Sequence, residues 1–200
     1  FTTEKRFIPM VEDSPVLREE IGPGKFAMQK RSQTFRRCAI EWTGSESASG
    51  LASRPVRYLI LDETNKWPGA IGDEGDTIGL AIQRTKTFWN RKILLMSTPT
   101  NASGFISQRY EDGDKREFRL PCPHCGERQA MRFDRLKFDA SMHPADAGRG
   151  AWYECLKGCR IEQSHKSDMI QRGEWVATCR AKVEGVASLH ISSLCSPWVS

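Results

Sequence analysis

Two short stretches of this chain are apolar at every position, and they frame the rest of the sequence. Tyr58-Leu59-Ile60-Leu61 ends in two acids, Asp62 and Glu63, and Ile93-Leu94-Leu95-Met96 ends in Ser97-Thr98-Pro99-Thr100. Continuous apolar runs of this length predict strands buried on both faces of a parallel sheet. About thirty residues separate them, with a helix predicted over Asp76 to Trp89. Parallel neighbours need a crossover of about a dozen residues or more, so the pattern predicts a βαβ unit. Ligands of such sheets bind beyond the carboxyl ends of the strands, where Asp62-Glu63 and Ser97-Thr98 fall.

The flanking segments are less regular. The first twenty residues read as helical, with Ser14-Pro15 supplying a cap and a first-turn proline before Val16 to Glu20, and Gly22-Pro23-Gly24 ends them. Lys25 to Gln29 and Thr34 to Trp42 are mixed apolar and basic runs around Lys30-Arg31-Ser32-Gln33, which predicts a hairpin. Thr43 to Ser49 is small and polar, the composition of a loop. From Tyr110 to Arg119 the chain is highly charged, and a module boundary is placed near Glu117 with its close near Val176. Leu189-His190-Ile191 reads as a further strand, followed by a turn at Ser196-Pro197-Trp198.

With 200 residues, 38% of them hydrophobic, the chain has enough apolar surface for one sizeable core plus a small satellite module. No apolar run approaches the roughly 20 residues of a membrane span, and Phe1 opens no signal segment, so an intracellular piece of a longer protein is expected. The formal charge of +5 is uneven: seven basic residues against two acidic lie between Gly24 and Leu61, and seven minus two accounts for all of it. Such a stretch suits a polyanion, nucleotide phosphate or nucleic acid backbone, or is a solvated strand face.

The seven cysteines are an odd number, and four of them form two close pairs, which favours metal binding over disulfides. Cys122-Pro123-His124-Cys125-Gly126 is one knuckle, and Cys155-Leu156-Lys157-Gly158-Cys159 is a second with three residues between its thiols. The 29 residues between Cys125 and Cys155 can form the strands of a ribbon. Four thiolates, Cys122, Cys125, Cys155 and Cys159, leave no position for water, so the expected Zn²⁺ is structural. His124 and His143 are alternative ligands, although His124 lies within its knuckle and is expected to point away. Cys38, Cys179 and Cys195 are expected to be small buried hydrophobes.

An apolar strand ending in adjacent acids is the arrangement of the Walker B element. There the first acid, Asp62, holds the Mg²⁺ that bridges the nucleotide phosphates, and the second, Glu63, orients or deprotonates the attacking water. Hydroxyls at Ser97 and Thr98 can sense the γ-phosphate and pass its loss onward. A strand ending in Asp-Glu also occurs as a solvated turn, and Ser-Thr-Pro is an ordinary turn sequence.

Order and spacing join these signals. The string Gly50-Leu51-Ala52-Ser53-Arg54-Pro55-Val56-Arg57 precedes the first strand, Trp67-Pro68 follows it, and Thr87-Phe88-Trp89-Asn90-Arg91-Lys92 precedes the second. With Pro121 to Gly126, and with Gly173-Glu174-Trp175 after the second cysteine pair, the chain resembles the large terminase subunit of lambda-type tailed phages. The resemblance implies an α/β fold: part of a P-loop (RecA/ASCE-like) parallel sheet with flanking helices over 1–116, a small zinc-ribbon module over 117–176, and a linker or the start of a nuclease domain over 177–200. It implies an ATPase that drives double-stranded DNA into a procapsid, with the small terminase subunit and the portal as partners, as a homo-oligomer in the cytoplasm of a bacterial host and with no membrane. Glu63 matches the catalytic base, Asp62 the Mg²⁺–ATP acid, and Ser97 and Thr98 the coupling motif. Arg54 and Arg57 are candidates for nucleotide or DNA phosphate contacts. The three-residue spacing of the second cysteine pair departs from many relatives.

Two parts of that family pattern are missing. The nearest string to a phosphate-cradling loop is Gly22-Pro23-Gly24-Lys25, where Pro23 lacks a backbone donor. The Walker A element is therefore expected upstream of Phe1 and the acidic nuclease cluster downstream of Ser200, leaving this stretch inactive alone. A helicase or remodelling ATPase, and a zinc-ribbon module that binds DNA or a protein without catalysis, are the competing readings.

Overall fold

The computed structural model describes residues 3–24, 27–52, 54–70 and 75–196. Lys25, Ser53, Pro197 and Trp198 lie outside them. The chain divides into two compact units, Phe1–Thr98 and Pro99–Ser200.

In the first unit a π-helical turn, Thr3–Phe7, runs into α1 (Ile8–Asp13). Ser14 then breaks the helix and starts α2 (Pro15–Glu19), its Oγ accepting from the Leu17 N–H at 3.5 Å. Pro15 at the first helical position forfeits only a donor that a helix start leaves unpaired. The predicted turn is present: Met28 bridges Gln33 antiparallel, the Gln29 N–H donates to the Ser32 carbonyl at 2.9 Å and the Thr34 N–H to the Ala27 carbonyl at 2.7 Å. A second hairpin follows it, β1 (Ser32–Thr34) antiparallel to β2 (Ala39–Glu41), with Phe35 to Cys38 as its turn. Gln33, expected in the first turn, is instead buried in β1. Its amide donates to the Gln29 carbonyl and accepts from the Trp42 indole N–H. α3 (Ala48–Ala52) begins inside the expected loop and buries Leu51.

β3 (Tyr58–Leu61) and β4 (Lys92–Leu95) pair in parallel, Leu59 opposite Ile93 and Leu61 opposite Leu95. α4 (Thr77–Gln83) lies on the connection, capped by Asp76, whose carboxylate accepts from the N–H groups of Ile78 and Gly79 at 3.1 and 3.0 Å. It stops six residues short of Trp89. Ile78, Ala81 and Ile82 supply a helical stripe, but Gln83 to Thr87 offer nothing apolar to continue it. Thr85 instead turns its hydroxyl onto the Ile82 carbonyl at 2.8 Å. The strands also depart from the expectation of burial on both faces. Leu59 and Leu61 point inward, whereas Tyr58 and Ile60 are 57% and 65% exposed, so an all-apolar run here packs one face only.

The second unit opens with α5 (Phe105–Asp112) and centres on β5 (Arg116–Pro121). β6 (Arg128–Ala130) pairs antiparallel with β5. A second sheet follows, β7 (Leu136–Lys137), β8 (Trp152–Glu154) and β9 (Arg160–Glu162), with β8 between β7 and β9 and α6 (Pro144–Ala147) on the connection from β7 to β8. After α7 (Lys166–Gln171), β10 (Glu174–Val176) returns antiparallel to β5 and β11 (Leu189–His190) pairs with it in parallel. Leu120, Tyr153, Ile161 and Met169 form the core, and three cysteines belong to it: Cys122, Cys155 and Cys195. Of the unpaired cysteines only Cys195 is a buried hydrophobe, since Cys38 and Cys179 are exposed. No helix among the described residues is long and apolar enough to cross a membrane.

Candidate functional site

The cysteine pairs sit on two tight loops of related construction. In the first, Cys122 donates its N–H to the Glu127 carbonyl at 2.8 Å and its carbonyl accepts from the Gly126 N–H at 3.0 Å. In the second, the Cys155 N–H donates to the Cys159 carbonyl at 2.9 Å, and the Gly158 N–H donates back to the Cys155 carbonyl at 2.9 Å. Each loop is closed by a glycine in the left-handed region, Gly126 at φ 75° and Gly158 at φ 80°, a backbone that disfavours any side chain with a Cβ. Gly158 lies before the second thiol rather than after it, and that is where the extra residue in the second spacing is accommodated.

All four Sγ atoms lie within 4.8 Å of one another, and those of Cys125 and Cys155 are 3.7 Å apart. A Zn–S bond of about 2.3 Å in a tetrahedron places sulfurs about 3.8 Å apart, so the four thiols fit such an ion. Neither His124 nor His143 belongs to the group. The His124 ring instead packs edge-on against His165, with centroids 5.3 Å apart.

The thiols are electrostatically unequal. Burial pushes Cys155 up, but N–H groups of Cys159 and Lys157, the latter 3.2 Å from its sulfur, and the neighbouring thiols outweigh it and bring the pKa down to about 7. Cys159, hydrogen-bonded to Cys125 and Cys155, is pushed up to about 12, and burial raises Cys122. Two residues that the sequence does not single out brace the second loop. Arg135 donates to the Cys155 carbonyl at 2.9 Å, and buried Gln129 accepts from the Leu156 N–H at 2.9 Å. Both lie between the cysteine pairs, and nothing in their spacing marks them.

The second candidate lies at the carboxyl ends of β3 and β4. Parallel pairing brings Asp62-Glu63 and Ser97-Thr98 to the same edge, with both acids exposed. Glu63 has a left-handed backbone, φ 57° and ψ 36°, which is strained by about 1–2 kcal/mol in a residue with a Cβ. The turn Thr64–Lys66 that follows is fastened to the end of β4. The Thr64 N–H donates to the Met96 carbonyl at 3.2 Å, the Asn65 N–H to Ser97 Oγ at 3.1 Å, and the Asn65 side chain to the Thr98 carbonyl at 3.1 Å. The Trp67 indole donates to the Asp62 carbonyl at 2.8 Å, which gives the Trp67-Pro68 string a structural role. Lys66 forms a 2.7 Å ion pair with Glu63, and that carboxylate raises the lysine pKa. Thr64, Asn65 and Lys66 carry no signal in the sequence because the bonds that fix their turn reach residues some thirty positions away.

The arginine candidates are not gathered at this edge. Arg57 precedes β3, about 16 Å from Asp62 along an extended strand, and covers the Tyr58 ring at 4.8 Å. Arg54 is ion-paired with Glu41 at 2.7 Å. Arg84, which no sequence motif marks, holds this segment by donating to the Arg54 and Gly50 carbonyls.

Compared with known proteins, the sequence matches the family described as phage terminase large subunit gpA, ATPase domain, over residues 2–175. No curated protein and no solved structure matches the chain.

Proposed function

The chain belongs to the phage terminase large subunit ATPase family, and from that premise we propose that it is the part of a DNA-packaging motor that hydrolyses ATP to move double-stranded DNA into a procapsid. The carrying observation is the parallel pair β3–β4, which brings Asp62-Glu63 and Ser97-Thr98 to one edge, with Asn65 of the turn after the acids hydrogen-bonded to Ser97 and Thr98. In this reading the first unit is the later half of a P-loop (RecA/ASCE-like) domain. The phosphate-cradling loop and a nuclease domain belong to other parts of the polypeptide, and the small terminase subunit and the portal are its partners.

Asp62 holds the Mg²⁺ of the nucleotide, an ion that supplies positive charge where the phosphates gain negative charge. Glu63 accepts a proton from water as that water attacks the γ-phosphorus, and its exposure leaves room for both. Ser97 and Thr98 register the phosphate and pass its loss on through the strand end. Arg54 and Arg57, remote from the acids along β3, suit DNA backbone better than the same nucleotide. In the second unit the four cysteines hold one structural Zn²⁺ in a zinc ribbon, consistent with a donor set of four thiols and no open position.

The test is made in the intact large subunit. Glu63→Gln keeps the size and hydrogen bonding of the side chain but removes the base, so ATP binding stays near normal while turnover falls by about a hundredfold or more. Asp62→Asn weakens Mg²⁺–nucleotide binding as well, because that residue acts through the metal. Robust DNA-stimulated hydrolysis by the Glu63→Gln protein refutes the assignment.

A further inference from the structure

Neither acidic nor hydroxyl motif contains Asn65, yet it ties the turn that follows β3 to the end of β4. It follows Glu63 by two residues, within the single 3-10 turn Thr64–Lys66. Its backbone N–H donates to Ser97 Oγ and its side-chain amide to the Thr98 carbonyl, each at 3.1 Å. Thr64 adds its own N–H and hydroxyl to the Met96 carbonyl at 3.2 and 3.4 Å. From the other side the Lys66 N–H donates to the Glu63 carbonyl at 2.8 Å. The left-handed backbone of Glu63 is therefore enclosed by bonds that run from its own turn to three consecutive residues at the end of β4.

We infer that Asn65 is a positioning residue of the hydrolytic site, holding Glu63 in its left-handed conformation and linking it to Ser97 and Thr98. The inference rests on the reading of Glu63 as the base. The geometry requires asparagine in particular. The side chain must present an N–H donor to Thr98 while the main chain presents another to Ser97. Aspartate has the same length but only acceptors, and would set a carboxylate oxygen against the Thr98 carbonyl. Glutamine is a methylene longer and overshoots from the same Cα. Because the two bonds end on adjacent residues of the coupling motif, a shift of Ser97-Thr98 on phosphate release moves the Glu63 backbone with it.

The experiment uses the intact large subunit, with steady-state ATPase kinetics, nucleotide affinity and thermal melting measured for each variant. Asn65→Asp should lower kcat by about tenfold or more, the effect of misplacing a reacting group, while KM for ATP stays within about twofold. Introduced beside Glu63→Gln it should lower the residual rate no further, because its route runs through Glu63. Asn65→Ala removes the donor to the Thr98 carbonyl without adding a charge and should act in the same way, which carries the test should Asn65→Asp not fold. An unchanged kcat in Asn65→Asp overturns the inference while leaving Glu63 as the base. So does a drop that multiplies with that of Glu63→Gln, the signature of a merely structural role. If Glu63→Gln itself turns over ATP normally, the base assignment falls first, and this inference with it.

Discussion

Cys155 and Cys195 offer a matched pair of perturbations for the zinc assignment. They are 0% and 4% exposed and belong to the same core, alongside Leu120, Tyr153, Ile161 and Met169. Only Cys155 is in the four-thiol group. Replacing either by serine introduces a buried hydroxyl, at about 1–3 kcal/mol. Structural zinc contributes about 10–16 kcal/mol in small zinc-finger peptides, so one ligand of four carries about 3 kcal/mol or more. At about 4–8 °C per kcal/mol for a unit of this size, Cys195→Ser should lower the second unit's melting temperature by about 4–24 °C and retain the metal. Cys155→Ser should lower it by a further 15 °C or so, or leave that unit unfolded. Metal content, the thiolate absorption of the Co²⁺-substituted protein, and thermal melts with and without a strong chelator make the measurement. Chelation should collapse the difference between wild type and Cys155→Ser, and the first unit should stay largely folded throughout. Equal shifts for the two variants, with no zinc in folded wild type, would refute the assignment.

Two further outcomes are expected. Zinc binding should release protons from Cys122 and Cys159, whose pKa values are raised, whereas Cys155, lowered to about 7, is already partly thiolate near neutrality. Apparent affinity should therefore fall as pH drops through 7 and the thiols become protonated, and calorimetry in buffers of different ionisation enthalpy should show the release. If the basic stretch of the first unit tracks DNA, replacing Lys30, Arg31, Arg36 and Arg37 should flatten the salt dependence of DNA affinity by about 0.9 in log–log slope for each phosphate no longer neutralised. An unchanged slope makes these residues a solvated face.

Features set by a few neighbouring residues were legible in the sequence. The cysteine pairs, the apolar runs of β3 and β4, and the Ser14-Pro15 cap of α2 are local patterns, and the family resemblance rested on ordered strings of the same kind. What stayed hidden depends on partners distant in the chain. Gln33 has the polarity of a turn residue, but the Trp42 indole and the Gln29 carbonyl satisfy it inside β1. Asn65 and Ser97 are separated by 32 positions, and Leu156 and Gln129 by 27, so neither pairing leaves a periodic trace. The all-apolar runs misled for a related reason. Composition reports that Tyr58 and Ile60 tolerate burial, but burial on that face requires a covering element, and none is supplied among the described residues.

The two candidate sites are built on opposite principles, each suited to what it has to exclude or admit. The proposed four-thiolate zinc would leave no position for water, so its ligands can be buried, and Cys122 and Cys155 belong to the core. An acid proposed to take a proton from water must meet water, and Asp62 and Glu63 are exposed. Burial is then unable to hold Glu63 in place. Its surface ion pair with Lys66 is worth about 0–1 kcal/mol, less than the 1–2 or so by which a left-handed backbone is disfavoured. The hydrogen bonds from Thr64 and Asn65 to Met96, Ser97 and Thr98, at about 1 kcal/mol each, are sufficient. The carboxylate is thus fixed from behind, through its backbone, while its reactive face remains open to solvent. In the proposed hydrolytic site, catalysis would depend on the anchoring turn as much as on the acid, and the end of β4 would be the natural place for the phosphate state to be felt.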